Sequence, residues 1–357
     1  MSLLEETLQQ IQPVDACWIR KAEARQLELT KPPGSLGRLE EIVNRCAAIF
    51  ESLSFAVARP RIVLFAADHG VCAEGVSPYP QAVTAQMVLN FLRGGAAINC
   101  LARAGGIDLK VVDVGVAQPL PAMEGLVQRR VAPGTHNFCI EPAMTEEAAL
   151  TAVHVGIEMA NEAAADGCNL LGFGEMGIGN TTAASALAAV VTGLPPATVI
   201  GRGAGANDAC LARKVSAVKR ALALHADHIS RPMELLARLG GLEIAAICGF
   251  CLGAAANRRP ALTDGFIATA GAALAVRMHP PVKDYLFAAH SSAEPGHKHL
   301  LALIGQQPLL DLQMRLGEGT GAALAMNLVQ AAVAAFTEMA TFTSAGVSEP
   351  QQPEVNA

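Results

Sequence analysis

Short runs of strand-forming apolar residues recur along the chain, separated by longer stretches in which apolar residues return every three or four positions. Arg61-Ile-Val-Leu-Phe-Ala-Ala67, Leu109-Lys-Val-Val-Asp-Val114, Asn169-Leu-Leu-Gly-Phe173, Pro260-Ala-Leu-Thr263 and Tyr285-Leu-Phe-Ala-Ala289 are such runs. Their near-continuous hydrophobicity suits strands buried on both faces, as parallel strands are when helices cover them. Alternation of these runs with helical patterns predicts βαβ units. The expected class is α/β, a three-layer α/β/α arrangement with a mostly parallel, doubly wound (Rossmann-like) sheet. Thr198-Val-Ile200 reads as one further strand-like piece.

The two ends of the chain stand outside that alternation. Residues 1–28 form a helical arm that Lys31-Pro-Pro-Gly-Ser-Leu-Gly37 breaks, with a second helix from about Leu36. After Thr320 a single helical pattern continues to about Met339. The expected organisation is a large α/β domain over 30–325, a small helical domain built from 1–29 with 326–345, and a disordered tail over 346–357.

Composition narrows the class of partner. With 52% apolar and 16% charged residues, the 357-residue chain can bury a sizeable core. Its formal charge of −6 lacks the basic footprint of a nucleic-acid or anionic-membrane binder, so neither partner is expected. Glu5 and Glu6 interrupt the start where a secretory signal needs an apolar core, and nine cysteines show no framework spacing, so a reducing cytoplasm is expected. Cys248-Gly-Phe-Cys251 has redox-motif spacing but lies in an apolar helical pattern with no basic flank, which favours core packing. The longest apolar stretches, 183–200, 242–256 and 321–336, are interrupted by proline or polar residues and read as buried helices.

Each strand-like run is followed by polar residues and glycines: Asp68-His69-Gly70, Asp113 with Gly115, Gly174-Glu175, Asp264-Gly265 and His290-Ser291-Ser292. Ligands of open α/β sheets bind beyond the carboxyl ends of the strands, so the site is expected where these loops converge. Gly172-Phe-Gly-Glu-Met-Gly-Ile-Gly-Asn-Thr-Thr182 leaves a strand and enters a helix, with Asn180, Thr181 or Thr182 available as caps. Such a helix start suits a phosphate, although a glycine turn serving only tight packing fits the same spacing. Arg202, Arg213 and Lys214 follow as possible sources of positive charge. Glu318, between Gly317 and Gly319 and just before Thr320, reads either as a ligand-facing general base or as a first-turn acid complementing the helix dipole. His297 and His299 lack zinc-type spacing, and Asp68-His69 fits a hydrogen-bonded loop as well as a catalytic pair.

Taken in order, Lys31-Pro-Pro-Gly-Ser-Leu-Gly-Arg-Leu-Glu40, Ala67-Asp-His-Gly-Val71, Gly174-Glu-Met-Gly-Ile-Gly-Asn-Thr-Thr182, Gly201-Arg-Gly203, Ala212-Arg-Lys214, His290-Ser-Ser-Ala-Glu294 and Arg315-Leu-Gly-Glu-Gly-Thr-Gly321 resemble one family. It is that of the nicotinate-nucleotide–dimethylbenzimidazole phosphoribosyltransferases, which make the α-ribazole phosphate of the cobalamin lower ligand. The resemblance implies a homodimer with no metal or cofactor, taking nicotinate mononucleotide and a benzimidazole-type base. It maps the catalytic base onto Glu318 and a second carboxylate onto Glu175. It places the nucleotide phosphate near Gly177, Asn180, Thr181, Thr182, Gly203, Lys214 and Ser291, and the acceptor base near Ser77, Tyr79, Pro80, Gln81 and Met87. Ala204 and Asn207-Asp208 depart from the family's common Thr and acidic pair. Two other classes remain open: a nicotinamide-dinucleotide dehydrogenase, which the glycine loop favours but which lacks an acidic ribose partner near 191–196, and a non-catalytic nucleotide sensor.

Overall fold

A computed structural model describes residues 2–348. Six strands make one sheet: β1 (Pro60–Ala67), β2 (Asp108–Gly115), β3 (Leu126–Gln128), β4 (Leu170–Met176), β5 (Ala261–Thr263) and β6 (Leu286–Ala288). Their order is β3-β2-β1-β4-β5-β6, and every neighbouring pair is parallel. The fold is α/β, and all five strand-like runs that preceded polar loops lie in this sheet. β3, at the sheet edge, is only partly buried and ends on the exposed Gln128, so it lacks the continuous apolar run that marks the buried strands. Thr198-Val-Ile200 is not a strand. Pro196 opens the short helix Pro196–Val199 there, its fixed φ suiting a first helical position and its missing N–H costing nothing.

β1 and β4 are fully or nearly fully buried, which explains their unbroken apolar character. Cross-strand partners define the two faces. Phe65 and Phe173 meet Phe250 of the helix Leu242–Ala256 edge-on, each with ring centroids 5.8 Å apart. On the opposite face Ile62 pairs with Gly172, where an added Cβ would lie 2.7 Å from Met326 in the helix Thr320–Glu338. Helices therefore cover both faces, and Cys248 and Cys251 sit fully buried in the first of them. Burial drives both thiols up, away from reactive thiolate.

The chain divides into two compact units: one holds the residues up to Pro13 with Ala58–Met326, the other Val14–Val57 with the chain from Asn327. These limits differ from the expected ones. The N-terminal arm is two helices, Leu3–Gln10 and Ala16–Glu28, with Pro13 between them. The first belongs to the larger unit, where the Tyr285 hydroxyl donates to the Gln12 carbonyl at 2.8 Å. Residues 30–57, expected in the large domain, belong to the smaller unit through the helix Arg38–Phe50, and there Phe55 packs between Phe50 and Phe336. The expected tail over 346–357 lies, apart from its first three residues, outside the described residues.

The sheet's order reverses between β1 and β4: β2 and β3 extend from one side, β5 and β6 from the other. That arrangement opens a crevice at the carboxyl ends of the two central strands. Two helices behind them, Glu146–Ala165 and Leu242–Ala256, approach backbone to backbone, since a Cβ on Gly249 would overlap the Val153 carbonyl and one on Gly156 the Ala246 carbonyl. Gly249→Ala should overpack this contact and lower stability by about 1–3 kcal/mol. A urea titration checks this through a lower midpoint at unchanged slope.

Candidate active site

The crevice contains a cavity of about 460 Å³, within the roughly 300–1,000 Å³ typical of small-molecule sites. Four of the five strand-end loops reach its wall. The segment after β1 contributes Tyr79, Val83 and Met87, the segment after β4 Glu175–Ile178 with Asn180 and Thr181, that after β5 Gly265–Ile267, and that after β6 His290, Ser292 and Glu294. Gly203 and Ala204, and the turn from Arg315 to Glu318, complete it. The β2 loop does not line it, because Asp113 turns back to accept the Val116 N–H at 2.8 Å.

Glu318 sits in a turn of unusual backbone. Gly317, Glu318 and Gly319 have φ values of 88°, 64° and 85°, three consecutive residues in left-handed conformation. For glutamate this costs about 1–2 kcal/mol, a strain held in place only by surrounding structure. That structure is compact. A Cβ on Gly174 of β4 would overlap the backbone of Glu318 and Gly319, and a Cβ on Gly317 would strike the Glu175 carboxyl group. Asp264, which follows β5, accepts the N–H groups of Gly319, Gly321 and Ala322 at 3.0, 2.7 and 3.2 Å and so caps the helix that Thr320 opens. The Glu318 carboxylate accepts the Ile98 N–H at 3.4 Å, from the first turn of the helix Ala97–Ala104. Burial pushes its pKa up, opposed by that N–H, while Asp264 adds like-charge repulsion.

Glu175 is deeper, 5% exposed. Its carboxyl accepts from the Asn180 amide, and its carbonyl accepts the Glu318 N–H at 3.3 Å. Burial raises its pKa well above the usual carboxylate value, and Glu243, Asp264 and Glu318 add repulsion while Asn180 opposes the shift. Beneath the glycine loop lies a sealed pair, His69 with Glu243 at 2.6 Å, both side chains wholly buried. Asp68 instead accepts the Ala117 N–H at 2.8 Å, so Asp68 and His69 do not form a dyad with each other. The His69 ring explains a glycine, since a Cβ on Gly177 would approach it to 3.3 Å and overlap the Ala67 carbonyl.

The helix Asn180–Thr192 is capped by Gly179 at φ 96°, with no side-chain cap. Only glycine adopts that conformation cheaply, so Asn180, Thr181 and Thr182 fall inside the first turn instead of preceding it. Part of the loop's donor capacity is spent internally: the Ile178 N–H donates to Thr84 Oγ1 at 3.1 Å, and those of Asn180 and Thr182 to the carbonyls of Gly177 and Gly179 at 3.2 and 2.9 Å. Lys214, 1% exposed, lies behind the wall and donates to Thr181 Oγ1 at 2.9 Å and to the Gly201 carbonyl at 3.1 Å. Burial lowers its pKa. Arg202 and Arg213 face outward, Arg202 pairing with Asp208 and Arg213 donating to the Gly75 carbonyl.

Of the residues singled out from sequence, Glu318, Glu175, Gly177, Asn180, Thr181, Gly203, Tyr79 and Met87 are brought together on one wall. Thr182, Lys214, Ser291, Ser77, Pro80 and Gln81 are not on it. The Ser77 hydroxyl accepts the Tyr79 N–H at 3.1 Å and shapes the turn, while Ser291 uses its N–H on the Leu310 carbonyl and yields the wall to Ser292. Sequence reasoning did not single out Glu243, Glu294 or Arg315, although a lone acid in an apolar helix is a readable sign of a buried partner. His297, donating or accepting at Thr269 and taking the Ser292 N–H, is a buried structural residue whose pKa burial lowers to about 3. Among the described residues no group of three or more His, Cys, Asp or Glu side chains is placed to hold a metal ion.

A phosphoribosyltransferase family model matches residues 11–347. A protein of Geotalea uraniireducens, named nicotinate-nucleotide–dimethylbenzimidazole phosphoribosyltransferase, is 53% identical over 98% of this chain and 99% of its own. One of the same name from Chloroflexus aggregans is 52% identical over 99% and 100%. The crystal structure of an enzyme of that name from Thermus thermophilus superposes with a TM-score of 0.89 at 50% identity, covering 94% of this chain and all of that one.

The buried acids set the sign of a pH response. Glu175 binds its proton more tightly folded than unfolded, so its stabilising contribution is full below the ordinary carboxylate value and is lost as pH rises through the raised one. Stability should therefore fall with rising pH, and Glu175→Gln should flatten that slope. Urea midpoints measured from pH 4 to 8 for both proteins check it.

Proposed function

The chain belongs to the nicotinate-nucleotide–dimethylbenzimidazole phosphoribosyltransferase family, a family of pentosyltransferases, and from that premise we propose that it moves the 5-phosphoribosyl group of nicotinate mononucleotide onto 5,6-dimethylbenzimidazole or a related base, with inversion at the anomeric carbon. The products are α-ribazole 5′-phosphate and nicotinate. The observation that carries the reading is a strained, buried carboxylate, Glu318, held at the wall of a cavity large enough for small-molecule ligands.

The chemistry asks little of the protein. Nicotinate is bonded to ribose as a cationic pyridinium and leaves as a neutral-ring pyridine, so its nitrogen needs no proton. The C1′–N bond to nicotinate breaks while an azole nitrogen of the acceptor bonds to C1′ from the opposite face. The acceptor's other N–H becomes acidic as that bond forms, and Glu318 takes the proton. A carboxylate raised by burial is a stronger base than an exposed one, which suits this role. Glu175 holds the Glu318 turn and Asn180 in place through its carbonyl and carboxyl groups. The phosphate is assigned to the loop around Gly177, Asn180 and Thr181, with Lys214 acting from behind through Thr181 and Gly203 shaping the wall beside it, its own N–H being taken by Glu294. Tyr79, Val83, Met87 and Leu316 give the acceptor an apolar face. Most of the rate comes from holding two substrates in line.

Glu318→Gln should lower kcat by about 10²–10⁴ with little change in KM for nicotinate mononucleotide. In the unaltered enzyme the acid limb of the pH–rate profile should lie above the ordinary carboxylate range, because activity requires Glu318 ionised and its pKa is raised. Chromatographic detection of nicotinate and the riboside phosphate checks both, and near-normal turnover by the variant would sink the assignment.

A further inference from the structure

Glu294 is 6% exposed, lines the cavity and is only half used. Its Oε1 accepts the Gly203 N–H at 2.8 Å. Its Oε2 is buried and has no hydrogen-bond partner among the described residues. That oxygen lies against Gly201, where any Cβ would overlap it; the nearby Lys214 ammonium attracts the carboxylate but gives its hydrogen bonds to Thr181 and the Gly201 carbonyl. A buried carboxylate oxygen without a donor is costly, commonly about 1–3 kcal/mol and more for charged groups. Such a group at a cavity wall calls for a donor brought by a ligand.

The substrate restricts what that donor is. On the reading above, on which this inference rests, nicotinate mononucleotide brings a phosphate, a ring carboxylate, an aromatic cation and a ribose. At neutral pH its phosphate and ring carboxylate chiefly accept hydrogen bonds, and the pyridinium nitrogen carries no proton. With the acceptor's N–H committed to Glu318, the consistent donors are the 2′ and 3′ hydroxyls of ribose. We propose that Glu294 is the residue that binds the ribose hydroxyls, its Oε2 accepting from one of them while Oε1 keeps the Gly203 N–H. The terminal carboxylate torsion is soft, which lets the group adjust to a ligand without displacing the backbone. The location suits this: Gly203 lies at the wall next to Thr181, Glu294 reaches it from the β6 loop, and Arg315, on the turn that carries Glu318, donates to the Gly203 carbonyl at 2.8 Å. One carboxylate would thus tie the Gly201–Gly203 segment to the sugar, fixing the ribose between the phosphate loop and the base that receives the proton.

The test pairs a change in the protein with a change in the substrate. The unaltered enzyme and Glu294→Gln are each assayed with nicotinate mononucleotide and its 2′-deoxy and 3′-deoxy analogues, following nicotinate release. Because only ratios between the two proteins are read, the intrinsic lability of each glycosidic bond cancels. Glu294→Gln should lose about 10–100-fold in kcat/KM on the ribonucleotide, but no more than about 3-fold on the analogue lacking the bound hydroxyl. Equal losses on all three substrates would overturn the assignment and leave Glu294 as a support for Gly203 alone. Should Glu294→Gln not fold, the unaltered enzyme decides: KM unchanged for both deoxy analogues overturns the assignment, and a rise of about 10-fold or more for one supports it. Failure of the unaltered enzyme to release nicotinate from the ribonucleotide is a different result, which removes the transferase reading beneath.

Discussion

One buried carboxylate, Asp264, sets the geometry on which the site depends. It accepts three backbone N–H groups at the start of the helix Thr320–Glu338, and through them fixes the turn that carries Glu318 against β4. Burial raises its own pKa, and His290 and these three donors oppose that shift. Asp264 follows β5, Gly174 lies near the end of β4, and Glu318 is held between them.

The acids around the cavity form a graded set. Glu175, Asp264 and Glu318 are all raised by burial, and repulsion from neighbouring acids adds to the shift of Glu175 and Glu318. Glu175 is the more strongly displaced and also the more deeply enclosed, whereas Glu318 keeps a backbone donor at a helix start. Two carboxyl groups on one wall are thereby given different affinities for a proton. The pair His69 with Glu243 extends the same economy beneath the loop: an acid inside an apolar helix is acceptable because an imidazole nitrogen meets it at 2.6 Å.

The sheet and the neighbourhood of the site were legible because buried parallel strands and glycine-rich strand ends leave a local trace. Gly172 to Thr182 and Arg315 to Gly321 announced themselves by spacing, and both line the crevice. What was not legible depends on contacts between distant positions. Lys214 looked like one more helical cation until its burial behind Thr181 was seen. Asn180 looked like a cap, yet Gly179 at φ 96° takes that place. The anchoring of Glu318 by Ile98 joins residues 220 positions apart and has no sequence signature. Glu294 lay inside a recognised motif, but its unsatisfied oxygen is a property of packing alone. The limits of the smaller unit were misjudged for the same reason, since the helix Arg38–Phe50 joins it through aromatic contacts made late in the chain by Phe336.

The reversal of strand order between β1 and β4 has a temporal consequence. The cavity wall draws on positions from Tyr79 to Glu318, so none of it exists in a fragment and nearly all of it waits for the central pairing to form. Closing loops of that length is entropically slow. Catalytic competence should thus be among the last properties to return on refolding, later than helix content.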